Sequence, residues 1–395
     1  MEAKEVERWI SSDEISVAVE ADVLKIVLKW IEQNKSERKV SFEQLFRHVR
    51  LTFLSRDVLF HVVTNELVRE NFGCLNMVLD AVKLTSFTCE TDLSHSPRKG
   101  LESRAIVACG GKYTFCYLPV KDEWKRLADR LTERNQGTKM ISFWDEIYSF
   151  PPVGKAERYD PVVNSWCTLD LSTTGSTKVA VIRDEIFAIE ANTSMKKSTI
   201  KRYDVERCSW MTVFSSHEGC RDNSCVVAAG NHLYVCGGRI GDEVVTKAER
   251  FDTVENKWEE IANMQQERWC AFGVATEGKI FVAGGSSRIT WQWCLKTSEM
   301  YNISTKEWHL IGSLNVPRAY GSMVCLKGTL YVLGGKCDVD KSDLSVECYD
   351  PTEDKWIEKT TIPVNMISKD TFTGCVQKLS KGVLDKLDVV KDSQS

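Results

Sequence analysis

The sequence predicts a multidomain chain of α and β parts: an N-terminal all-α helical domain, then a six-bladed all-β propeller closed by a C-terminal strand. Three observations predict it. Tryptophans recur at 124, 166, 210, 258, 308 and 356, at intervals of 42, 44, 48, 50 and 48 residues, the period of four-stranded blades. Residues 19–84 instead place apolar side chains at helical spacing and contain no proline. A spare strand-like segment near the C-terminus matches a strand that the first repeat lacks.

In the helical part, Val19, Val23, Ile26, Val27, Trp30 and Ile31 form one stripe that stops near Gln33 and Asn34, in a polar stretch reaching Lys39. Ser41, Phe42, Glu43 and Gln44 read as a capping box opening a short helix through His48 and Val49. A third helix follows Ser55, with Val58, Leu59, Val62, Val63 and Leu67 on one face. A fourth runs from about Cys74 to Leu84 and carries Leu75, Val78, Leu79 and Val82. The periodicity then lapses in a polar segment with Pro97 and Gly100. The expected division is a helical domain over 1–87, a linker over 88–103, the propeller over 104–380 and a frayed polar tail over 381–395.

Each tryptophan sits in a recurring context. Tyr159-Asp160-Pro161, Tyr203-Asp204, Phe251-Asp252, Tyr301-Asn302 and Tyr349-Asp350-Pro351 lie six or seven residues ahead of one. Further upstream a strand aromatic recurs at Tyr148, Phe187, Tyr234, Phe281 and Tyr331. Glycine pairs end strands at 110–111, 237–238, 284–285 and 334–335, supplying backbone angles and close approach that a Cβ forbids. The second blade has Pro151-Pro152 in that place and the third Glu190-Ala191; their flanking strands persist, so both count as blades with deviating loops. Repeat one lacks an inner strand, and residues 371–379 (TFTGCVQKL) have the style of one. The C-terminus is expected to complete the first blade and remove the open edge.

These motifs resemble kelch repeats, six of which cover residues 105 to about 379. The resemblance makes the tryptophans inter-blade packing residues. The front segment resembles the BACK domain of kelch-like proteins over residues 9–34 and 42–63 and the Cys74 helix. In that family a BTB domain precedes BACK, dimerises and, with the first BACK helices, binds a cullin scaffold. The propeller holds a substrate for ubiquitination. Met1 falls inside the BACK-like segment and no BTB sequence is in the chain, so cullin is expected as a partner only where a BTB domain is present. The resemblance implies a substrate-recognition subunit of a cullin-RING ubiquitin ligase. Its rivals are a kelch scaffold protein, for example an actin-associated one, and a copper radical oxidase resembling galactose oxidase.

Composition narrows the choice. With 43% hydrophobic and 27% charged residues and a net charge of −4 without a basic stripe, nucleic acid is excluded as a partner. No apolar run approaches a membrane span, and the charged start lacks a signal sequence. The expected setting is the cytoplasm, with a possible nuclear or cytoskeletal pool. Fifteen dispersed cysteines contain no C-x-x-C pair, and the six histidines share no metal-binding spacing. Nucleophile elbow, phosphate loop and dinucleotide fingerprint are missing. No catalytic residue, metal or cofactor is expected.

Binding is expected at the loops that converge on one end of the ring. Two positions per blade stand out. One follows the glycine pair, at Lys112, Arg239, Ser286 and Lys336; the other is an arginine before the next inner strand, Arg268 and Arg318. Guanidinium groups there can fork onto an acidic group. Trp269 and Tyr320 adjoin the arginines, and Trp291 and Trp293 lie in a long loop outside the blade pattern, where large aromatics suit interface hot spots. The expected partner is a target protein or acidic peptide held by Arg239, Arg268, Arg318 and Lys336.

Overall fold

The structure, a computed structural model of the 395-residue chain, describes residues 2–12, 15, 17, 20–54, 56–87, 102–133, 137–173, 176–192, 197–216, 221–290, 293–336, 343–363 and 372–390. It comprises two compact units, residues 1–104 with 378–387 and residues 105–377 with 388–395.

The helical unit contains helices Ala3–Ser11, Glu20–Glu32, Phe42–Phe46, Arg56–Thr64 and Phe72–Phe87, with shorter turns between them. Val23, Val27, Ile31, Phe46, Cys74 and Val78 are fully buried in one core. The apolar stripes place them there. Helix Ala3–Ser11 escaped the reading because only Val6 and Ile10 of its charged sequence are buried, too sparse a stripe to stand out. Two expectations need correction. Ser41 forms no capping box: it is itself helical (φ −90°, ψ −2°), ending a 3-10 turn that runs into Phe42–Phe46, whereas a capping residue needs extended backbone. Leu67 does not extend the third helix. That helix ends at Thr64, and the Asn65 side chain accepts from the Leu67 N–H at 3.0 Å, starting a new helix Glu66–Arg69.

The rest is six four-stranded antiparallel sheets and one two-stranded ribbon, Arg239–Ile240 with Glu243–Val244. Blade four shows the plan, with inner strand Cys225–Ala229, then His232–Cys236, Ala248–Asp252 and outer strand Lys257–Glu260. Blade one is composite: Thr373–Ser380 lies innermost, followed by Glu102–Gly110, Tyr113–Leu118 and Glu123–Arg126. Phe372, just ahead of the closing strand, packs so tightly that a Cβ on Gly110 would lie 2.7 Å from its ring. The core between blades six and one joins Phe372 to Ile106, Phe115, Leu326 and Leu333.

The tryptophans tie blade to blade. The Trp166 indole N–H donates to the Ala128 carbonyl (3.0 Å), Trp308 to Ala262 (2.8 Å) and Trp356 to Gly312 (2.9 Å), each acceptor following the outer strand of the preceding blade. Across the closure, Trp124 donates to Thr360 Oγ1 of blade six at 3.1 Å. Within each blade the tryptophan pairs with the aromatic of the Tyr-Asp motif, as Tyr117 with Trp124 and Tyr301 with Trp308 at centroid distances of 5.0 and 5.1 Å. The deviating blades keep the strand order and the aromatic pairing, while the Trp210 indole N–H of blade three has no acceptor among the described residues. Blade three simply runs Glu185–Asn192 into Lys197–Asp204 as a long hairpin, paired out to Asn192 and Lys197.

The polar tail is a third correction. After Ser380 the chain forms a helical turn, Lys381–Leu384, and buries Leu384 and Leu387. Val389 bridges Lys125, and the Val390 N–H donates to the Trp124 carbonyl at 2.9 Å. Leu384 and Leu387, spaced among lysines and aspartates, suffice to order a segment that composition alone marks as polar. Residues 391–395 lie outside the described residues.

Ending the chain at residue 363 would remove the inner strand of blade one and expose the core beneath Phe372. Such a chain is expected to lose its cooperative thermal transition and to aggregate on size exclusion; an unchanged melting curve would refute the closure. Trp308→Phe keeps most of the packing and leaves the Ala262 carbonyl unpaired, an expected loss of about 1–2 kcal/mol in chemical denaturation.

Candidate functional site

Inner strands start, and second strands finish, at the same end of the ring, because the two are antiparallel (Phe272 opposite Ala283, Ser322 opposite Leu333). The glycine pairs and the arginine loops therefore converge there. In the pairs of blades four to six both glycines have positive φ, +61° and +86° at Gly284 and Gly285. A Cβ on Gly284 would lie 2.3 Å from the Arg318 carbonyl, so only glycine admits the neighbouring loop.

That contact explains where Arg268 and Arg318 go, and it overturns their reading as partner-binding groups. Both are 0% exposed. The Arg268 carbonyl accepts from the Gly238 N–H of blade four at 2.8 Å. Its guanidinium crosses into blade five and donates to the carbonyls of Gly284 (2.9 Å) and Thr297 (2.8 Å) and to Glu299 Oε1 (3.0 Å). Arg318 repeats the arrangement one blade on: its carbonyl accepts from Gly285 at 2.9 Å, and its guanidinium donates to the carbonyls of Gly334 (2.9 Å) and Ser345 (3.1 Å) and to Glu347. Every direction of each guanidinium is used inside the protein. No donor is left for a partner.

The same pair recurs as Arg130 with Glu157 and Arg221 with Glu249, each at 3.0 Å. In blade three the polarity reverses, with Lys201 at the glutamate position holding Glu190 at 2.6 Å. The glutamates had a signal that sequence reasoning passed over: Glu157, Glu249, Glu299 and Glu347 each stand two residues before the Tyr-Asp-type aromatic.

The positions after the glycine pairs are also spoken for. Arg239, Ser286 and Lys336 form backbone bridges to Asp222, Trp269 and Ala319, the residues after the buried arginines. Ser286 and Lys336 are buried, at 1% and 6% exposure, so Lys336 as a partner contact is likewise corrected. Arg239 remains half-buried and ion-paired to Asp222 at 3.1 Å. Lys112 is exposed and lies over the Tyr113 ring. Trp293 is 46% exposed with the Arg288 guanidinium stacked on it at 4.2 Å. Trp291 lies outside the described residues.

What the buried arginines do present is the pair beside them. Trp269 and Tyr320, each partly buried, meet edge to face at 5.9 Å. The Trp269 indole N–H has no acceptor among the described residues. Tyr320 sits in the left-handed region (φ +57°), as does Cys270 (φ +57°); the two are hydrogen-bonded through their side chains, and burial pushes both the phenol and the thiol up from their usual pKa. Tyr320, and not Trp269, lines the mouth of the axial channel, which holds a cavity of about 60 Å³. All six blades line it, among them Lys139 of blade two, Lys178 of blade three, Phe272, Tyr320 and Phe372.

Of the propeller's three histidines, His232 faces Asp252 in blade four and His309 lies near Glu307 in blade five; His217 lies outside the described residues. No metal-holding group of three or more His, Cys, Asp or Glu occurs among the described residues. No helix there is long and apolar enough to cross a membrane.

Comparison with known proteins agrees with this architecture. The profile of the "KLHDC2/KLHL20/DRC7 Kelch-repeats domain" matches residues 176–377, and that of "BTB And C-terminal Kelch" (BACK) matches residues 1–64. Kelch-like protein 25 of Xenopus tropicalis is 24% identical over 91% of this chain and 64% of its own length. Kelch-like protein 11 of Homo sapiens is 25% identical over 84% of this chain and 53% of its own length. Human Kelch repeat and BTB domain-containing protein 12 is 23% identical, over 93% and 67%. The chain thus spans about two thirds or less of these relatives. Among solved structures, that of YjhT superposes with a TM-score of 0.56 at 14% identity, over 66% of this chain and 98% of its own.

Arg268→Ala leaves Glu299 buried without its partner, an expected loss of about 3–5 kcal/mol. Adding Glu299→Leu should restore part of it, so a double-mutant cycle by chemical denaturation is expected to show coupling. Additive losses would contradict the buried pair.

Proposed function

We propose that this chain, which belongs to the kelch-like family and carries a BACK domain and kelch repeats, recognises substrates for a cullin-RING ubiquitin ligase. The kelch-like relatives support a binding rather than a catalytic role. The observation that carries the reading is the partly exposed Trp269–Tyr320 edge-to-face pair, with Tyr320 on the lining of the channel mouth. Aromatic side chains held by rigid loops are the usual anchors of protein interfaces. The loops are rigid because each is bonded to two blades: the Arg268 carbonyl to Gly238, its guanidinium to Gly284. Little ordering entropy is then lost on binding. The target protein sits on this end of the ring. The cullin is engaged by a BTB domain together with the first BACK helices in the complete assembly.

The test has two parts. A target is identified by proximity labelling with the wild-type chain and quantified with Trp269→Ala, which is expected to weaken binding by about 2 kcal/mol or more while leaving the melting temperature within a few degrees. Depleting the chain in cells should lengthen that target's half-life, with restoration by the wild type and not by Trp269→Ala. A bound target whose turnover ignores the chain would place the protein among kelch scaffolds instead.

A further inference from the structure

The mouth of the axial channel carries two cations that the fold does not use. Lys139 opens the inner strand Lys139–Phe143 of blade two, and Lys178 lies in the inner strand Ser176–Ile182 of blade three. Both line the cavity and both are only partly exposed. Elsewhere in the ring several buried and half-buried cations have carboxylates: Arg130 has Glu157, Arg221 has Glu249, Lys201 has Glu190. Neither Lys139 nor Lys178 makes an ion pair or hydrogen bond among the described residues. What surrounds them is the thiols of Cys225, Cys270 and Cys375. Burial and the charge of Lys178 act together to hold the Lys139 ammonium below its usual pKa.

Two like charges brought together away from bulk water, with no counter-charge, destabilise a fold. The corresponding positions of the regular blades hold Cys225, Phe272 and Ser322, each opening its inner strand. The ring closes there without any charge, so the lysines are not needed for closure. A cavity of about 60 Å³ has room for a few waters or one carboxylate-sized group. Ser322 and Thr373 also line it, the Ser322 hydroxyl donating to the Gly374 carbonyl at 3.2 Å, and the mouth opens beside Tyr320.

We propose that the channel mouth is an oxyanion site, in which Lys139 and Lys178 together hold a carboxylate that the bound target inserts past Tyr320. This rests on the reading of this face as the target-binding one, and it names the chemistry of the target's anchor: an Asp or Glu side chain or a C-terminal carboxylate. The anchoring charge thus comes from the mouth of the channel, where both lysines are only partly exposed and a charge-assisted hydrogen bond is stronger than in bulk water. The rim arginines have no part in it.

The full chain is titrated with succinate and, separately, inorganic phosphate at constant ionic strength, with chloride as the control, and the melting temperature is followed. The wild type is expected to gain stability with anion concentration. Lys139→Met/Lys178→Met is expected to melt at or above the wild-type temperature without anion, since the repulsion is gone, and to show no anion-dependent rise; Lys139→Gln/Lys178→Gln serves if the methionine variant misfolds. No rise in the wild type, or an equal rise in the variant, overturns the site. In the second arm the variant's affinity for the identified target is expected to fall about tenfold or more. Equal affinity combined with a lost anion response would mean that a free oxyanion occupies the channel and would overturn the target's carboxylate as its occupant. Should no target be found at all, the proposed function fails, and the anion titration alone still decides the site.

Discussion

A propeller blade has two apolar faces, and only a neighbour on each side can cover both. The ring therefore stands or falls on its closure. Here closure joins the most distant parts of the β unit: Glu102–Gly110 at its start and Thr373–Ser380 at its end form one sheet, and Trp124 reaches Thr360 across 236 residues of sequence. Contacts of such separation are slow to form, because the loop-closure entropy precedes any reward. Until the last inner strand arrives, the faces around Ile106, Phe115 and Leu333 have nothing to cover them. The tail continues the same device, since Val389 and Val390 pair with the outer strand through Lys125 and Trp124. The C-terminal segment thus lines the inside of blade one and also seals its outside.

Within the closed ring a second constraint shapes the loop face. Strands that end at glycine pairs leave carbonyls without ladder partners, and buried acceptors need donors. Arg268 and Arg318 each supply several at once: a guanidinium fans its donors across the Gly-Gly turn, the third strand and a glutamate, while its own carbonyl serves the preceding blade. A hydrophobic residue of equal volume could replace the ion pair. It could not replace the bonds to Gly284 and Thr297. This is why a charge is kept where burial disfavours it. Beyond each buried arginine the chain turns through a left-handed residue, Cys270 after Arg268 and Tyr320 after Arg318, and both line the channel mouth.

The large features of this molecule are written in single-residue periods. The tryptophan ladder, the Tyr-Asp motif and the glycine pairs mark six blades without any knowledge of neighbours, and the missing strand of repeat one points to residues 371–379. The helical stripes are equally plain, since Val23, Val27 and Ile31 recur at helical spacing and are buried. What was not legible depends on direction. Arg268 and Lys336 lie in loops, where no periodicity says which way a side chain turns, and a glutamate 31 residues away decides it for Arg268. Ser41 had the right neighbours for a capping box and the wrong backbone. Lys139 and Lys178 read as ordinary strand lysines because alternation tells two faces apart without saying which one lines a channel.

The blades are not equivalent around the channel, and their departures coincide. Blades two and three lack the glycine pair, having Pro151-Pro152 and Glu190-Ala191, and blade three reverses the buried ion pair. The same two blades contribute the lysines. Blades four to six keep the regular turn and contribute Cys225, Cys270, Phe272, Tyr320 and Ser322. The mouth is therefore two-sided, cationic toward the irregular blades and aromatic or thiol-bearing toward the regular ones, with Phe372 of the closing segment beside them. A group entering it meets charge on one side and apolar surface on the other, which favours one orientation for an acidic residue flanked by an apolar neighbour. The irregular blades carry what distinguishes this ring, and the regular ones keep it closed.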